Sequence, residues 1–229
     1  EESFTGLWEK VHLKKRSEIT DDTIKQIIYE NTRVLDIANT LRSLKSPVDV
    51  IMIKSGQGTG KTYQISIELT ASIKRGEKVL IISNRISLGT TIYRDVQEAL
   101  KGTGLKANQI KFYKKEKDLN CCENLIISPE SLTKLLDRSE RIPKYDRIWI
   151  DEGKKCLSDY GLSNTLYRNR SSSIEILSHY IRTCKICYVS DADLNNDVIE
   201  WIRRMKSPMR SEIVVIENTM KTDNTETFI

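Results

Sequence analysis

Val48-Asp49-Val50-Ile51-Met52-Ile53, followed without a break by Lys54-Ser55-Gly56-Gln57-Gly58-Thr59-Gly60-Lys61-Thr62, decides how the rest of the chain is read. A short apolar run bounded by polar residues suits a strand covered on both faces. The closely spaced glycines behind it allow backbone angles closed to other residues, so that successive N–H groups can turn inward around an anion. Ile65, Ile67, Leu69 and Ile73 then fit a helix whose positive end adjoins the same spot. Strand, turn and helix start make a phosphate cradle. Ser55, Gly56, Gln57, Gly58, Thr59 and Gly60 would wrap the phosphates of ATP, Lys61 would reach the β- and γ-phosphates, and Thr62 would place its hydroxyl on Mg2+. The pattern ordinarily opens with Gly where Ser55 stands, a small substitute that leaves three glycines to bend the loop. A surface loop containing Gly-Lys-Thr by accident would have no reason to sit between a buried-looking strand and an apolar helix.

Outward from this loop, apolar runs alternate with helical patterns. Val79–Ile82, Leu125–Ile127, Ile148–Ile150, Ile186–Val189 and Ile213–Ile216 read as further strands. Helices are expected from Gly60, over about Leu88 to Leu100, from Pro129 and from Leu194. Such alternation predicts parallel strands joined by right-handed crossovers, with ligands at the carboxyl ends. Before Pro47, Thr20-Asp21-Asp22 resembles a helix cap ahead of Ile24, Ile27 and Ile28, and a second helical stretch runs from about Val34 to Leu44. The expected organisation is a helical lead-in over residues 1–46, one nucleotide-binding domain over 47–218, and a polar tail or linker over 219–229.

A second chemical landmark is Arg147-Ile148-Trp149-Ile150-Asp151-Glu152, an apolar strand ending in two carboxylates. An NTPase needs one carboxylate to hold Mg2+ and another to orient or deprotonate the attacking water, and Asp151 and Glu152 suit those roles, with Glu152 as base. Alone, Asp-Glu after a strand would more often be a solvated turn; the pairing with Lys61 and Thr62 gives it chemical meaning.

Composition narrows the field. With 38% hydrophobic residues in 229, the chain can build a substantial core, and no apolar run is long enough to span a bilayer as a helix. It begins Glu1-Glu2-Ser3, without Met or a basic-then-apolar leader, and so reads as a piece of a longer protein rather than a secreted precursor. Lys plus Arg number 37 against 32 Asp plus Glu, a formal charge of +5 that permits a polyanionic partner without demanding one. The odd count of five cysteines lacks a disulfide framework and points to a reducing intracellular compartment, cytoplasm, nucleus or a viral replication site. Cys184-Lys185-Ile186-Cys187 has zinc-like spacing, but its apolar surroundings suit buried thiols better than a metal cage.

Ser83-Asn84-Arg85-Ile86-Ser87-Leu88, Ser128-Pro129-Glu130-Ser131-Leu132, Asp151-Glu152 and Ser190-Asp191-Ala192-Asp193-Leu194 follow the phosphate loop in the motif order of the first motor domain of second-superfamily helicases. Asp151-Glu152 with Leu157, Ser163-Asn164-Thr165-Leu166 and Asp191-Ala192-Asp193-Leu194 most resemble the herpesvirus-type replication-origin-binding helicase family. The likeness covers about Val48 to Asn218. It implies an α/β P-loop NTPase (RecA-like) three-layer sandwich with a mainly parallel sheet. It also implies ATP hydrolysis with Mg2+, movement on single-stranded nucleic acid, DNA ahead of RNA, and a role in DNA replication. Carried over by position, Asn84, Arg85, Ser87, Ser128 and Ser131 would touch the backbone of one strand, as hydroxyls, amides and an arginine can without reading bases. Ser190 and Asp191 would couple that groove to the hydrolytic site. Each of these Ser, Asn and Asp residues could instead be a helix cap.

Two basic clusters are weaker candidates for phosphate contact: Lys111, Lys114, Lys115 and Lys117 around Phe112 and Tyr113, and Arg203, Arg204, Lys206 and Arg210 near Trp201, with Arg168 and Arg170 a third. Helicases of this kind complete the ATP site with arginines of a second motor domain, expected elsewhere in the parent chain, so this piece should bind nucleotide and turn it over slowly. Two alternatives remain at this point. Ile150-Asp151-Glu152-Gly153 also resembles zinc-bearing thymidine kinases, although the second Cys-x-x-Cys of that class is missing; and the chain could be a nucleotide-binding module without turnover. Gly153-Lys154 departs from the Ala-His or Ala-Asp that follows Asp-Glu in better-known helicases.

Overall fold

The computed structural model describes residues 19, 24–30, 36–44, 47–101, 103–104, 109–136, 141–162, 169–206 and 212–220. In chain order its elements are β1 (Lys25–Tyr29), α1 (Ile37–Arg42), β2 (Val50–Ser55), α2 (Lys61–Lys74), β3 (Val79–Ser83), α3 (Ile86–Lys101), β4 (Lys111–Phe112) and β5 (Asn124–Ile127). A 3-10 helix (Pro129–Leu135) follows, then β6 (Arg147–Asp151), α4 (Gly153–Leu162), α5 (Arg170–Thr183), β7 (Ile186–Asp191), α6 (Asn196–Lys206) and β8 (Ile213–Asn218). The strands form one sheet of order β1-β8-β2-β7-β6-β3-β5-β4. Every pairing in it is parallel.

This is the expected α/β architecture, and its physical basis is visible strand by strand. Every residue of β3 and β5 is buried, which is why those stretches read as unbroken apolar runs. Right-handed crossovers require a helix to lie on the face dictated by the direction in which the chain moves across the sheet. The steps β1 to β2, β2 to β3 and β3 to β4 all run one way, so α1, α2 and α3 share a face, where α2 packs on both neighbours. The later steps run back, and the 3-10 helix, α4, α5 and α6 cover the other face, with α5 against the 3-10 helix and α6.

The sequence expectation differs from the structure in the lead-in. Residues around Ile24, Ile27 and Ile28, expected as helix, contain strand β1, in register with β8 from Lys25↔Val214 to Tyr29↔Asn218. The spacing of those isoleucines fits a helix, but the open edge of β8 offers backbone partners that a short solvated helix could not match. The second lead-in stretch is helical only over the six residues of α1, capped by Asp36, whose side chain accepts from Asn39 N at 2.9 Å. The helix expected from Pro129 is a 3-10 helix, and the two-residue β4 had no strand signal of its own. Of the expected tail only Thr219 and Met220 fall within the described residues, and Ser163-Asn164-Thr165-Leu166 lies outside them.

Candidate functional site

The carboxyl ends of β2, β7, β6 and β3 are adjacent in the sheet, so the loops that leave them meet around a single cleft of about 430 Å³. Gln57, Gly58, Lys61, Thr62, Arg85, Asp151, Glu152 and Asp191 all line it, so residues drawn from four separated motifs converge.

The phosphate loop leaves β2 and closes on itself. Ser55 and Thr59 are buried, their hydroxyls 2.5 Å apart, and Thr59 Oγ1 donates to Gly56 O at 2.9 Å. Both belong to the loop expected to wrap phosphates, and in the structure their side chains hold the loop's own shape while its backbone stays on the cleft side. The hydroxyl also accounts for serine where the usual pattern has glycine. Gly58 and Gly60 have φ of 74° and 73°, a left-handed backbone that favours glycine, whereas Gly56 does not need it. Gly60 is the N-cap of α2 and supplies no side chain to the first turn, which also holds no acidic residue. The turn's free N–H groups and helix dipole therefore face the cleft unopposed. Lys61 Nζ donates to Ser55 O at 3.0 Å and Gly56 O at 3.1 Å, and an ammonium has a third proton to offer.

Across the cleft, β6 delivers Asp151, which is 2% exposed. Its Oδ1 accepts from Ser190 Oγ at 2.8 Å, and Ser190 Oγ in turn accepts from Trp149 Nε1 at 2.9 Å. Its Oδ2 is buried without a hydrogen-bond partner among the described residues. Burial pushes the Asp151 carboxyl up to about 6; the Ser190 hydrogen bond opposes this, the neighbouring Glu152 charge adds to it, and Lys61 opposes it. A buried carboxylate oxygen lacking a donor is costly unless something else meets it. Mg2+ fits that requirement, because Asp151 Oδ2 and the Thr62 hydroxyl are hard oxygen donors on the same cleft.

Glu152 carries the one positive φ found outside glycine among the described residues, 50°. Such a conformation costs on the order of 1–2 kcal/mol and here follows from the chain leaving β6 and starting α4 within one residue, with Cys156 N donating to Glu152 O at 2.8 Å. Gly153 comes next because a Cβ there would overlap Val189 Cγ1 of β7. The departure from Ala at that position therefore has a packing cause. Asp191, at the end of β7, ties the same turn down: its Oδ2 accepts from Lys154 N and its Oδ1 from Asp193 N, both at 2.9 Å. The cap it forms belongs to α4; the helix expected near Leu194 starts at Asn196 and uses Asn195, whose Oδ1 accepts from Val198 N at 3.2 Å.

The residues expected to touch a nucleic-acid strand divide. Arg85 is exposed, with Nε 3.7 Å from Glu152 Oε2, so it reaches into the nucleotide cleft as well as outward. Ser87 is exposed on the first turn of α3. The amide atoms of Asn84 are covered and have no partner among the described residues. Ser128 and Ser131, expected beside the same strand, are both buried, with Ser128 Oγ donating to Ser131 Oγ at 3.2 Å across the short 3-10 helix.

Of the basic clusters, Lys114 and Lys134 lie over the Tyr113 ring at 5.3 and 5.9 Å and Lys115 over Tyr93 at 4.9 Å, all three lysines exposed. The second cluster is not a free basic face. Lys206 is buried and donates to Cys184 O at 3.1 Å, Arg203 and Arg204 pair with Glu200, and Trp201 is buried. Arg168 and Arg210 lie outside the described residues. Cys184 and Cys187 are buried thiols at the start of β7. Sequence reasoning missed Lys155, which lines the cleft one residue into the turn after Lys154 and bonds Asp159 at 2.7 Å. It also missed Trp149, hidden in the register of β6 with β7.

A three-layer α/β domain with a phosphate loop and an Asp-Glu pair across one cleft defines a P-loop nucleotide-binding domain of RecA-like architecture. The sequence profile of the DEAD/DEAH box helicases matches residues 17–190, and the chain belongs to that family. Among solved structures it is similar to S. cerevisiae Dbp5 bound to Nup159, Gle1, IP6 and ADP, with 16% identity over 77% of this chain and 45% of that one, TM-score 0.56. It is also similar to the yeast DEAD-box splicing factor Prp28, with 15% identity over 78% and 43%, TM-score 0.55. A third likeness is to the DEAD-box helicase Mss116 bound to ssRNA and UDP-BeF, with 16% identity over 87% and 48%, TM-score 0.50. At such identities these likenesses establish the fold, and the chain spans less than half the length of each structure. Prp28 and Mss116 are DEAD-box proteins, and none of the three is an origin-binding helicase of the herpesvirus type. No curated protein matches the sequence significantly.

Proposed function

We propose that this chain is the ATP-binding half of a helicase motor that hydrolyses ATP with Mg2+ and moves on single-stranded nucleic acid. The observation that carries the reading is the convergence of Lys61, Asp151 with its Oδ2 unpartnered among the described residues, and Glu152 on one cleft, with Arg85 between that cleft and the outer surface. Each group has a task its chemistry suits. The backbone of Gly56–Gly60 and the N-terminus of α2 hold the triphosphate, and Lys61 adds a point charge. Asp151 and Thr62 would hold Mg2+, which would supply charge neutralisation for the phosphates. Glu152 accepts the proton of the attacking water. Ser190 steadies Asp151, and Asp191 steadies the turn that carries Glu152.

Arg85 links this chemistry to a partner. Its pairing with Glu152 is half-exposed and long, worth roughly 0–1 kcal/mol, so a phosphate of a bound strand can compete for it. The Mss116 structure contains ssRNA, which supports a single strand as the ligand; the Asp191-Ala192-Asp193-Leu194 segment, by its resemblance to origin-binding helicases, puts DNA and a replication role first. The charge stabilisation for fast turnover is assigned to arginines of a second motor domain in the parent chain. A reducing intracellular compartment is part of this proposal, supported by the free cysteines. Among the described residues no helix is long and apolar enough to cross a membrane.

The test is nucleotide binding and turnover together. The chain should bind Mg2+·ATP, Lys61→Ala should abolish binding, and the parent protein should show ATPase activity raised by single-stranded DNA or RNA. No stimulation by any single strand, or phosphorylation of thymidine, overturns the motor reading.

A further inference from the structure

Trp149 has no part in the chemistry above, but its indole stands one residue from the machinery. Trp149 and Asp151 are two apart on β6 and so share a face of the sheet, and Asp151 is in register with Ser190 of β7. An indole N–H can only donate, so at 2.9 Å the Ser190 oxygen must accept from it. A serine hydroxyl has one proton of its own, and Asp151 Oδ1 at 2.8 Å is its acceptor. Trp149 and Ser190 are wholly buried and Asp151 is 2% exposed, so solvent does not scramble this order. Without the indole N–H, nothing among the described residues would hold the Ser190 oxygen in this orientation, and its hydroxyl could rotate away from Asp151.

We infer that Trp149 is a positioning residue for the metal–nucleotide site: it commits the Ser190 hydroxyl to Asp151 Oδ1 and so reserves Asp151 Oδ2, partnerless among the described residues, for the shell of Mg2+ bound with ATP. The inference rests on the functional reading above and names a residue that reading does not require. Trp149 acts through Ser190 alone, since no hydrogen bond joins it to Asp151 directly among those described.

The experiment is calorimetric titration of ATP into the 229-residue chain, once in Mg2+ and once in EDTA, for wild type, Trp149→Phe, Ser190→Ala and the double variant. Trp149→Phe should weaken Mg2+·ATP about 2- to 10-fold, the range set by one hydrogen bond, and leave ATP in EDTA unchanged. The double variant should bind Mg2+·ATP no more weakly than Ser190→Ala alone, because the tryptophan works through the serine. If phenylalanine is too small for the fold, 3-benzothienylalanine at position 149 keeps the bicyclic shape, lacks the N–H, and should give the same metal-dependent loss. Equal losses in Mg2+ and EDTA, no loss at all, or additive losses in the double variant overturn the inference. A wild-type chain whose ATP affinity ignores Mg2+ overturns the functional reading and this inference with it; Mg2+-dependent wild-type binding that Trp149→Phe leaves intact overturns the inference alone.

Discussion

Asp151 shows how one side chain can oppose the folding of the domain that buries it. Its folded carboxyl stands at about 6, above the ordinary 3.8, chiefly because it is buried. A raised carboxyl gives its full contribution to stability below the unfolded value and loses it as pH rises through the folded one, so the cost to the fold grows between about pH 4 and 6 and is complete above. That cost is about 3 kcal/mol. Asp151→Asn, which keeps the acceptor for Ser190, should therefore raise the melting temperature at pH 7 in the absence of metal and nucleotide, and give no gain near pH 3; thermal melts at the two pH values decide it. The same variant should lose Mg2+-dependent ATP affinity. Gly153 makes the opposite case, a residue constrained by packing alone. Gly153→Ala places a methyl against Val189, a stiff β-branched partner, and should destabilise by about 1–3 kcal/mol in denaturant titration, with Val189→Ala restoring much of it.

What was legible in the sequence follows from how local each signal is. Strands β2, β3, β5, β6, β7 and β8 were readable because burial on both faces forces continuous Val, Ile and Leu, and the phosphate loop because its dihedrals force glycine. β1 was misread because its isoleucines fit a helical period while the decisive partner, the β8 edge, lies far along the chain. The mutual hydrogen bond of Ser128 and Ser131 is invisible in the sequence for a related reason: a serine at a strand end is equally suited to a ligand and to its neighbour, and the 3-10 turn is what brings the two together. The Trp149–Ser190–Asp151 order could not be seen at all, since it depends on the register of two strands. Arg85 was assigned to a strand contact from motif order, and its pairing with Glu152 adds a second allegiance at the junction of β3 and α3. Arg85→Ala should weaken binding of a single-stranded oligonucleotide evenly across sequences and reduce the dependence of log affinity on log salt by about 1, as measured by fluorescence anisotropy over a salt series.

The parallel sheet gives the molecule two unlike ends. At the carboxyl end sit a residue in a left-handed conformation, Glu152, and an oxygen without a hydrogen-bond partner among the described residues, Asp151 Oδ2. At the amino end the polar groups satisfy one another. Arg147, 11% exposed in its side chain, donates to Glu77 at 3.0 Å and to Tyr188 Oη at 3.0 Å, and Asp146 accepts from Lys78 N and Lys185. Burial alone would raise the Glu77 carboxyl, but the Arg147 guanidinium overrides this and holds it below the ordinary value. Stability and binding should therefore separate along the strand direction. Arg147→Leu removes this largely buried cation, leaving Glu77 and Glu68 with the more exposed Arg75, and should cost about 2 kcal/mol, a fall of roughly 4–8 °C in melting temperature for a chain this size, while ATP affinity stays within about twofold of wild type. Lys61→Ala should do the reverse, removing ATP affinity with little change in melting temperature, because its ammonium bonds only carbonyls of a loop already stapled by Ser55 and Thr59. Melting curves and ATP titrations on the two variants check the separation, and a shared loss of both properties in either one would show that the sheet transmits disturbance from end to end rather than insulating the site from its scaffold.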